Sequence, residues 1–166
     1  SGTLTVSKAD PNPETSTGLT ATYDQKLLDV SLPLGWAWDE PSTSVGNVGS
    51  NSFSATYTPT NTANYNTKTE NLTVMVSKAD NPAQVTGTAS VTKGGNTVEL
   101  SSYVSGAEGT VTYAITTALV GCSVDENTGV FTSGSTNGEC TVTVTIAGND
   151  NYNGKTETIT VTVTDK

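Results

Sequence analysis

The stretch NYNTKTENLTVMVSKAD, residues 64–80, carries the two patterns on which the fold prediction depends. Between 68 and 76, apolar residues alternate with polar ones and place Leu72, Val74 and Val76 on one face. Strict alternation is typical of a β-strand that is buried on one side only. The stretch closes with VSKAD, residues 76–80, which we interpret as a joint between two strand-rich segments.

Both parts of this stretch recur in the chain. Residues 151–163 repeat residues 64–76 at a constant offset of 87, with nine of thirteen positions identical. The VSKAD joint at 76–80 repeats residues 6–10 at an offset of 70. Internal repeats of this kind predict tandem modules. We assign residues 1–78 to a first module and residues 79–166 to a second.

The composition favours an all-β protein. Only 14% of the residues are charged and 33% are hydrophobic. The β-branched Thr and Val favour strands, whereas Gly, Asn, Asp and Ser favour turns. No helical periodicity is visible, which excludes a βαβ fold. Six or seven short alternating strands in each module, with turn signals about every 8–12 residues, predict two tandem Ig-like β-sandwich modules joined by a short linker.

The alternation also predicts where the strands lie. In the first module we expect strands over 3–8 (with Leu4 and Val6 on one face), 19–23, 27–32, 36–38, 53–57 and 68–76. In the second we expect a strand within 83–91, strands over 98–100 and 111–115, a hairpin over 122–132, a long strand over 140–146 and a final strand with Ile159, Val161 and Val163 inward.

Several segments carry a resemblance to a known family. In the second module these are VTYAI (111–115), SVDENTGVFT (123–132), the strand from 140 to 148 and NYN (151–153), which resemble bacterial Ig-like domains. In the first they are LTATY (19–23), PLGWAWDEP (33–41), VGNVG (45–49) and ANYN (63–66), similar to repeats of large bacterial cell-surface proteins. The resemblance implies an extracellular setting, on the bacterial cell surface or secreted, and it carries no shared catalytic residues.

Charge and residue types exclude several functions. The net charge is −9, from 7 basic and 16 acidic residues, so the chain lacks the basic surface that nucleic acids require. The chain contains no run of 18 apolar residues, so we predict that this segment does not insert into a membrane. The chain has no His, so Ser-His-Asp and Cys-His catalysis are impossible. We therefore predict that this segment is not an enzyme, and we predict no cofactor apart from the Ca²⁺ considered below.

Two cysteines, Cys122 and Cys140, lie 18 residues apart in the second module. In an extracellular sandwich such a pair predicts a disulfide, which would add roughly 3 kcal/mol of stability. The alternative is a pair of buried free thiols. A zinc site is disfavoured, because it needs more ligands and the chain has no His.

Two further sets of residues are candidate binding sites. Trp36 and Trp38 share one face of a short strand, and we expect them to pack in the core, with a platform for sugar rings as the alternative. Asp125, Asn127 and Asp150 offer oxygen ligands for Ca²⁺, but they lie in predicted turns and lack the spacing of an EF-hand loop.

The leading functional hypothesis is structural. The VSKAD joint contains no Gly and is followed by Pro82, so we expect it to restrict the angle between modules. This favours a semi-rigid stalk of a bacterial cell-surface protein, in which neighbouring Ig-like modules of the same chain are the partners and other domains are presented. The copy of VSKAD at residues 6–10 indicates a preceding module. The alternative is an adhesin or carbohydrate-binding module that uses the Trp pair or the acidic loops to bind a host or glycan ligand.

Overall fold

The computed structural model describes residues 1–119 and 121–166. The chain forms two compact units, Ser1–Ala79 and Asp80–Lys166, here called the N-terminal and C-terminal units. Strands are the main regular elements of both units, and the helical segments that are described are two short 3-10 turns, Leu27–Asp29 and Leu100–Tyr103. The predicted all-β class of tandem Ig-like β-sandwich modules is confirmed. Neither 3-10 turn approaches the length and apolarity of a membrane-spanning helix, and the described residues contain no such helix.

The N-terminal unit is built on one four-stranded sheet. Its strands are β1 (Leu19–Thr22), β2 (Trp36–Trp38), β3 (Gly49–Tyr57) and β4 (Lys68–Ser77), in the order β1-β4-β3-β2. The first strand runs parallel to β4, and the other pairs are antiparallel. β4 pairs with both β1 and β3 at residues 74–76, so the end of the alternating sequence lies in the centre of the sheet.

The layer that covers this sheet contains little strand. Leu27, Val30 and Val45 are buried against Leu72 and Val74 of β4, and they come from segments without extended ladders. The strand predicted over 27–32 is therefore wrong. A 3-10 turn forms there instead, and the Asp29 Oδ2 accepts the Lys26 backbone N–H at 2.9 Å, which closes the turn.

The C-terminal unit has more regular layers. Its strands are β5 (Gln84–Val85), β6 (Thr88–Thr92), β7 (Thr97–Glu99), β8 (Val104–Ser105), β9 (Val111–Thr117), β10 (Ser123–Val124), β11 (Val130–Thr132), β12 (Gly138–Ile146) and β13 (Lys155–Thr164). One sheet has the order β6-β13-β12-β9, and the opposing strands form the sets β10-β11-β7 and β5-β8. The hairpin predicted over 122–132 is confirmed as β10 and β11.

The segment 83–91, predicted to contain one strand, contributes to two strands that pair in different sheets. β5 pairs with β8, and β6 pairs in parallel with β13. The chain crosses between these sheets at Thr86 and Gly87, where the Thr86 N–H donates to Tyr103 O at 2.9 Å and Gly87 O accepts from Thr160 N–H at 2.8 Å. The inward residues of β13, Ile159, Val161 and Val163, are buried as the alternation predicts.

The strand predicted over residues 3–8 is also wrong. Those residues form no ladder among the described residues, and the side chains of Leu4 and Val6 are 87% and 84% exposed. Their counterparts at an offset of 70, Val74 and Val76, are buried in β4. Alternation alone specifies a strand only where neighbouring strands satisfy its backbone groups, and β4 has those neighbours.

Candidate functional site

The two repeated motifs meet in space in the N-terminal unit. The Ala9 N–H donates to Asn64 O at 2.8 Å, and the Asn66 N–H donates back to Ala9 O at 2.8 Å. The Asn66 side chain then donates its Nδ2–H to Asp10 Oδ1 at 2.8 Å. The end of SKAD is thus held by the NYN turn that precedes β4. We call this side-chain hydrogen bond from Asn to Asp the Asp–Asn clamp.

The C-terminal unit contains the same clamp. Asn153, which corresponds to Asn66, donates its Nδ2–H to Asp80 Oδ1 at 3.5 Å. The two motifs repeat at different offsets, 70 and 87, yet the same pair of side chains meets in both units. The VSKAD joint therefore belongs to two structures: Val76 and Ser77 end β4, and Asp80 already forms part of the next unit.

A buried asparagine reinforces the clamp in the C-terminal unit. Asn81 is only 7% exposed, and its Nδ2 donates to Glu108 O at 2.7 Å and to Asn153 O at 3.1 Å. Its Oδ1 accepts from the N–H groups of Ala83 and Glu108 at 3.2 and 3.1 Å. Four backbone groups are thereby satisfied by one side chain, which closes this end of the unit.

The repeated KTE sequence gives each last strand the same ion pair. Lys68 Nζ lies 2.7 Å from Glu70 Oε1, and Lys155 Nζ lies 3.3 Å from Glu157 Oε1. The ion pair with Lys68 holds the pKa of Glu70 below its usual value. Lys155 also donates to Ala83 O at 2.8 Å, which ties the first segment of the C-terminal unit to β13.

The two tryptophans do not form an exposed platform. Trp36 and Trp38 are 8% and 9% exposed, and both belong to the core of the N-terminal unit. Each indole N–H is used inside the unit, by Glu14 O at 3.3 Å and by Val30 O at 2.9 Å. The predicted packing in the core is therefore confirmed, and the alternative of a sugar platform at these residues is wrong. Burying both rings is favourable here, because each buried N–H finds an acceptor.

Aromatic side chains do reach the surface nearby, in a shallow cleft. It has a volume of about 210 Å³ and is lined by Pro11, Asn12, Pro13, Tyr57, Pro59 and Tyr65. Tyr57 packs on Trp36 with ring centroids 5.7 Å apart, and Tyr65 is 43% exposed. We call this feature the tyrosine cleft. Nothing in the spacing of these residues indicated it, because the cleft depends on the NYN turn folding back onto residues 9–13.

The two cysteines are free thiols in the structure, so the predicted disulfide is not observed. Cys140 is buried in β12, and its Sγ accepts the Leu119 N–H at 3.3 Å. Burial raises the pKa of the Cys140 thiol, the Leu119 N–H opposes this, and the neighbouring Cys122 thiol raises the pKa further. The alternative of two buried free thiols is matched at Cys140, whereas Cys122 is half-buried, and the disulfide stays a prediction.

The candidate calcium residues serve turns. Asp125 Oδ1 accepts the N–H groups of Asn127 and Thr128 at 3.0 and 2.8 Å, and these hydrogen bonds hold the pKa of Asp125 below its usual value. The turn that contains Asp150 is closed by Asn149, whose Oδ1 accepts the N–H groups of Asn151 and Tyr152. Across residues 1–119 and 121–166, no three Asp, Glu, Cys or His residues are grouped so as to hold a metal. A calcium site at these residues stays a prediction.

Comparison with known proteins gives structural neighbours only. No protein-family profile and no curated protein matches the chain. Among solved structures, it is similar to Drosophila N-cadherin EC1-4, with 16% identity over 70% of this chain and 31% of that one, and a TM-score of 0.44. It is also similar to mouse cadherin-23 EC22-24, with 16% identity over 80% of this chain and 50% of that one, and a TM-score of 0.45. A third is the S-layer protein SbsC domains 4 and 5, with 18% identity over 81% and 82% of the two chains and a TM-score of 0.35.

Proposed function

We propose that the chain is a non-catalytic structural segment of a bacterial cell-surface protein, in which tandem Ig-like modules form a semi-rigid stalk. The observation that supports this proposal is the Asp–Asn clamp, which recurs in both units. In each unit it holds the start of the module to the turn before the last strand. A module with this design passes the chain directly from its last strand to the first residues of the next.

The length of the joint supports a restricted angle between the units. β4 ends at Ser77, and Asp80 already accepts a hydrogen bond within the C-terminal unit. Only Lys78 and Ala79 lie between these two points in the chain. Neither residue is Gly, and two residues span at most about 7 Å. A joint of this kind behaves as a spacer and not as a flexible linker.

Small-angle X-ray scattering of the whole chain tests the stalk. We expect one extended scattering profile, with a maximum dimension close to the sum of two module lengths. As a matched variant, insertion of Gly-Ser-Gly-Ser between Lys78 and Ala79 should broaden the distance distribution. A compact profile in the unmodified chain, or no change on insertion, contradicts the proposal.

The exposed leading segment extends the proposal to an array. Residues 3–10 read TLTVSKAD, and residues 73–80 read TVMVSKAD. Leu4 and Val6 therefore correspond to Val74 and Val76, which are buried in the N-terminal unit. Our interpretation is that residues 3–7 complete the last strand of a further module, whose core receives Leu4 and Val6.

A chain in which residues 9–72 are repeated directly before Thr3 tests this interpretation. In that chain residues 3–7 take the place of residues 73–77 of the added copy. We expect a third folded module, with the amides of residues 3–7 protected from hydrogen exchange. The same chain carrying Leu4→Asp is the control and should leave the added copy unfolded. If the added copy is unfolded without the substitution, residues 3–7 are not a last strand.

A further inference from the structure

The tyrosine cleft is a candidate ligand-binding site, and its role does not depend on whether the modules form a stalk. Its walls are the rings of two tyrosines and three prolines, and its rim includes the exposed amide of Asn12. At about 210 Å³ it is smaller than the ~300–1,000 Å³ of sites that enclose a drug-sized ligand. Its size suits a single ring of a larger molecule.

The chemistry of the walls selects a neutral, amphipathic ligand. The six residues that line the cleft carry no charge, although the chain as a whole has a net charge of −9. Metal ions and charged groups would find no counter-charge among these residues. Tyrosine offers a flat apolar face and a hydroxyl that donates and accepts hydrogen bonds, at a low entropic cost of ordering.

The cleft is held in shape before any ligand binds. The Tyr65 N–H donates to Asn61 O at 3.1 Å, and the Ala9 bridge fixes the residues on either side of Tyr65. Tyr57 is held from behind by Trp36, whose Nε1–H donates to Glu14 O. Because the backbone on both sides of Tyr65 and the ring of Tyr57 are already held, binding needs little further ordering of the cleft.

Gly35 is required beneath the Tyr57 ring. Its φ is +91°, and a Cβ at this position would lie 2.5 Å from Cε2 of Tyr57. Any other residue would be strained in backbone conformation and would also displace the ring. The position of Tyr57 is therefore specified by a backbone feature as well as by packing.

The fold itself does not demand the cleft. Tyr57 pairs with Lys68, and at the equivalent position of the C-terminal unit Ile146 pairs with Lys155 and is fully buried. Pro11 and Pro13 correspond to Asn81 and Ala83, which are both buried. The C-terminal unit thus closes this end with the same motifs, so the open aromatic cleft is specific to the N-terminal unit.

We propose that the tyrosine cleft binds one sugar ring of a neutral glycan. The apolar C–H face of the ring would stack on the exposed Tyr65 ring, and its hydroxyls would exchange hydrogen bonds with the tyrosine hydroxyls and the Asn12 amide. Aromatic-lined grooves also receive proline-rich peptides, but those contact successive grooves along an extended helix. One cleft of this size favours a single ring.

NMR titration and calorimetry of the whole chain test the proposal. The probes are hexasaccharides of glucose, mannose, galactose, xylose and N-acetylglucosamine, with oligogalacturonate and hexaproline for comparison. We expect saturable binding of at least one neutral hexasaccharide at concentrations up to on the order of 10 mM, with shifts of the Tyr65 and Tyr57 ring resonances. Binding of hexaproline or oligogalacturonate alone overturns the proposal, as does the absence of any shift with all five sugars.

Variants separate the cleft from the rest of the surface. Tyr65→Ala should weaken binding by about tenfold or more, the loss of one stacked ring. Tyr65→Phe keeps the ring and should retain most of the affinity. Tyr152→Ala, at the same position of the NYN motif in the C-terminal unit, should leave affinity unchanged. Circular dichroism checks that Tyr65→Ala remains folded. Equal affinity of Tyr65→Ala and the unmodified chain overturns the proposal.

Discussion

The two units share their first and last segments but differ in what closes the end of the module. Both use the Asp–Asn clamp and a last strand with the KTE ion pair. In the C-terminal unit a buried Asn81 satisfies four backbone groups at this end, whereas the N-terminal unit has the prolines and tyrosines of an open cleft. The comparison shows that a repeated frame specifies where a module begins and ends, while the residues between the repeats decide what its surface can do.

The covering layers differ in the same way. In the C-terminal unit, strands β7, β10 and β11 oppose the main sheet. In the N-terminal unit, buried side chains such as Leu27 and Val45 do this from turns. Strands satisfy their own backbone groups, whereas turns depend on individual caps such as Asp29.

The largest expected effect comes from truncating the matched core residues of the two last strands. Leu72→Ala and Ile159→Ala each remove a side chain that is fully buried at equivalent positions. Each should cost about 2–5 kcal/mol, because a cavity remains in a packed core. Chemical unfolding followed by tryptophan fluorescence reports the N-terminal unit, where both tryptophans lie, and hydrogen exchange reports each unit separately. If either variant destabilises both units equally, they do not fold as independent cores.

Oxidation of the cysteines should change only the C-terminal unit. A Cys122–Cys140 disulfide, formed with oxidised glutathione as the electron acceptor, should stabilise that unit by roughly 3 kcal/mol on the chain-entropy account. Intact-mass measurement after alkylation shows whether the bond forms, and Cys140→Ser is the control. In the reduced protein we expect Cys122 to be alkylated faster, since Cys140 is buried and burial raises its pKa. Equal alkylation rates would contradict the buried thiol.

Removal of the Asn81 side chain should have a smaller effect, again limited to one unit. Asn81→Ala removes four hydrogen bonds to the backbone groups of Ala83, Glu108 and Asn153, of which the one to Ala83 is buried and the others are partly buried. We expect a loss of about 2 kcal/mol in the C-terminal unit, measured by denaturant titration. The exposed Asn12→Ala in the N-terminal unit should be close to neutral. A neutral Asn81→Ala would mean that another group closes this end of the unit.

The smallest effect expected is a pH dependence carried by Asp39. The hydroxyls of Ser54 and Thr56 donate to its carboxylate and lower its pKa from 3.8. A lowered carboxyl pKa stabilises the fold above the unfolded value, and this contribution is lost as the pH falls through the folded value. In thermal unfolding between roughly pH 2 and 7, Asp39→Asn should reduce the loss of stability that the N-terminal unit shows as the pH falls. Asp125→Asn should act only on the C-terminal unit. If Asp39→Asn loses the same stability at acid pH as the unmodified chain, other carboxylates determine the pH dependence.

Much of the fold could be predicted from local patterns. The alternating residues of β4, β12 and β13 determine strands whose inward faces are buried in the structure. The same pattern failed at residues 3–8, where no neighbouring strand is described, and at 27–32, where a local cap favoured a 3-10 turn. Alternation of apolar and polar residues shows which face of a strand is apolar. Whether the strand forms depends on pairing with segments far away in the chain.

The candidate sites were predicted less well, because each depends on distant contacts. The residue type of Trp36 and Trp38 permits either a platform or a core, and burial against Tyr57 and Phe53 decided for the core. Asn81 gave no signal in the sequence, since its importance lies in its reach to Glu108 and Asn153.

The joint at residues 76–80 combines features that local patterns predict with features that depend on distant contacts. The repeats predict that two modules follow one another, that both end in the same strand and that the joint contains no Gly. The hydrogen bond from Asn153 to Asp80, and the open cleft beside the matching turn in the N-terminal unit, depend on tertiary contacts that no local pattern predicts. Alternation and repeats are local properties of the chain, whereas each clamp joins residues more than fifty positions apart and the cleft brings residues 11–13 to residues 57–65.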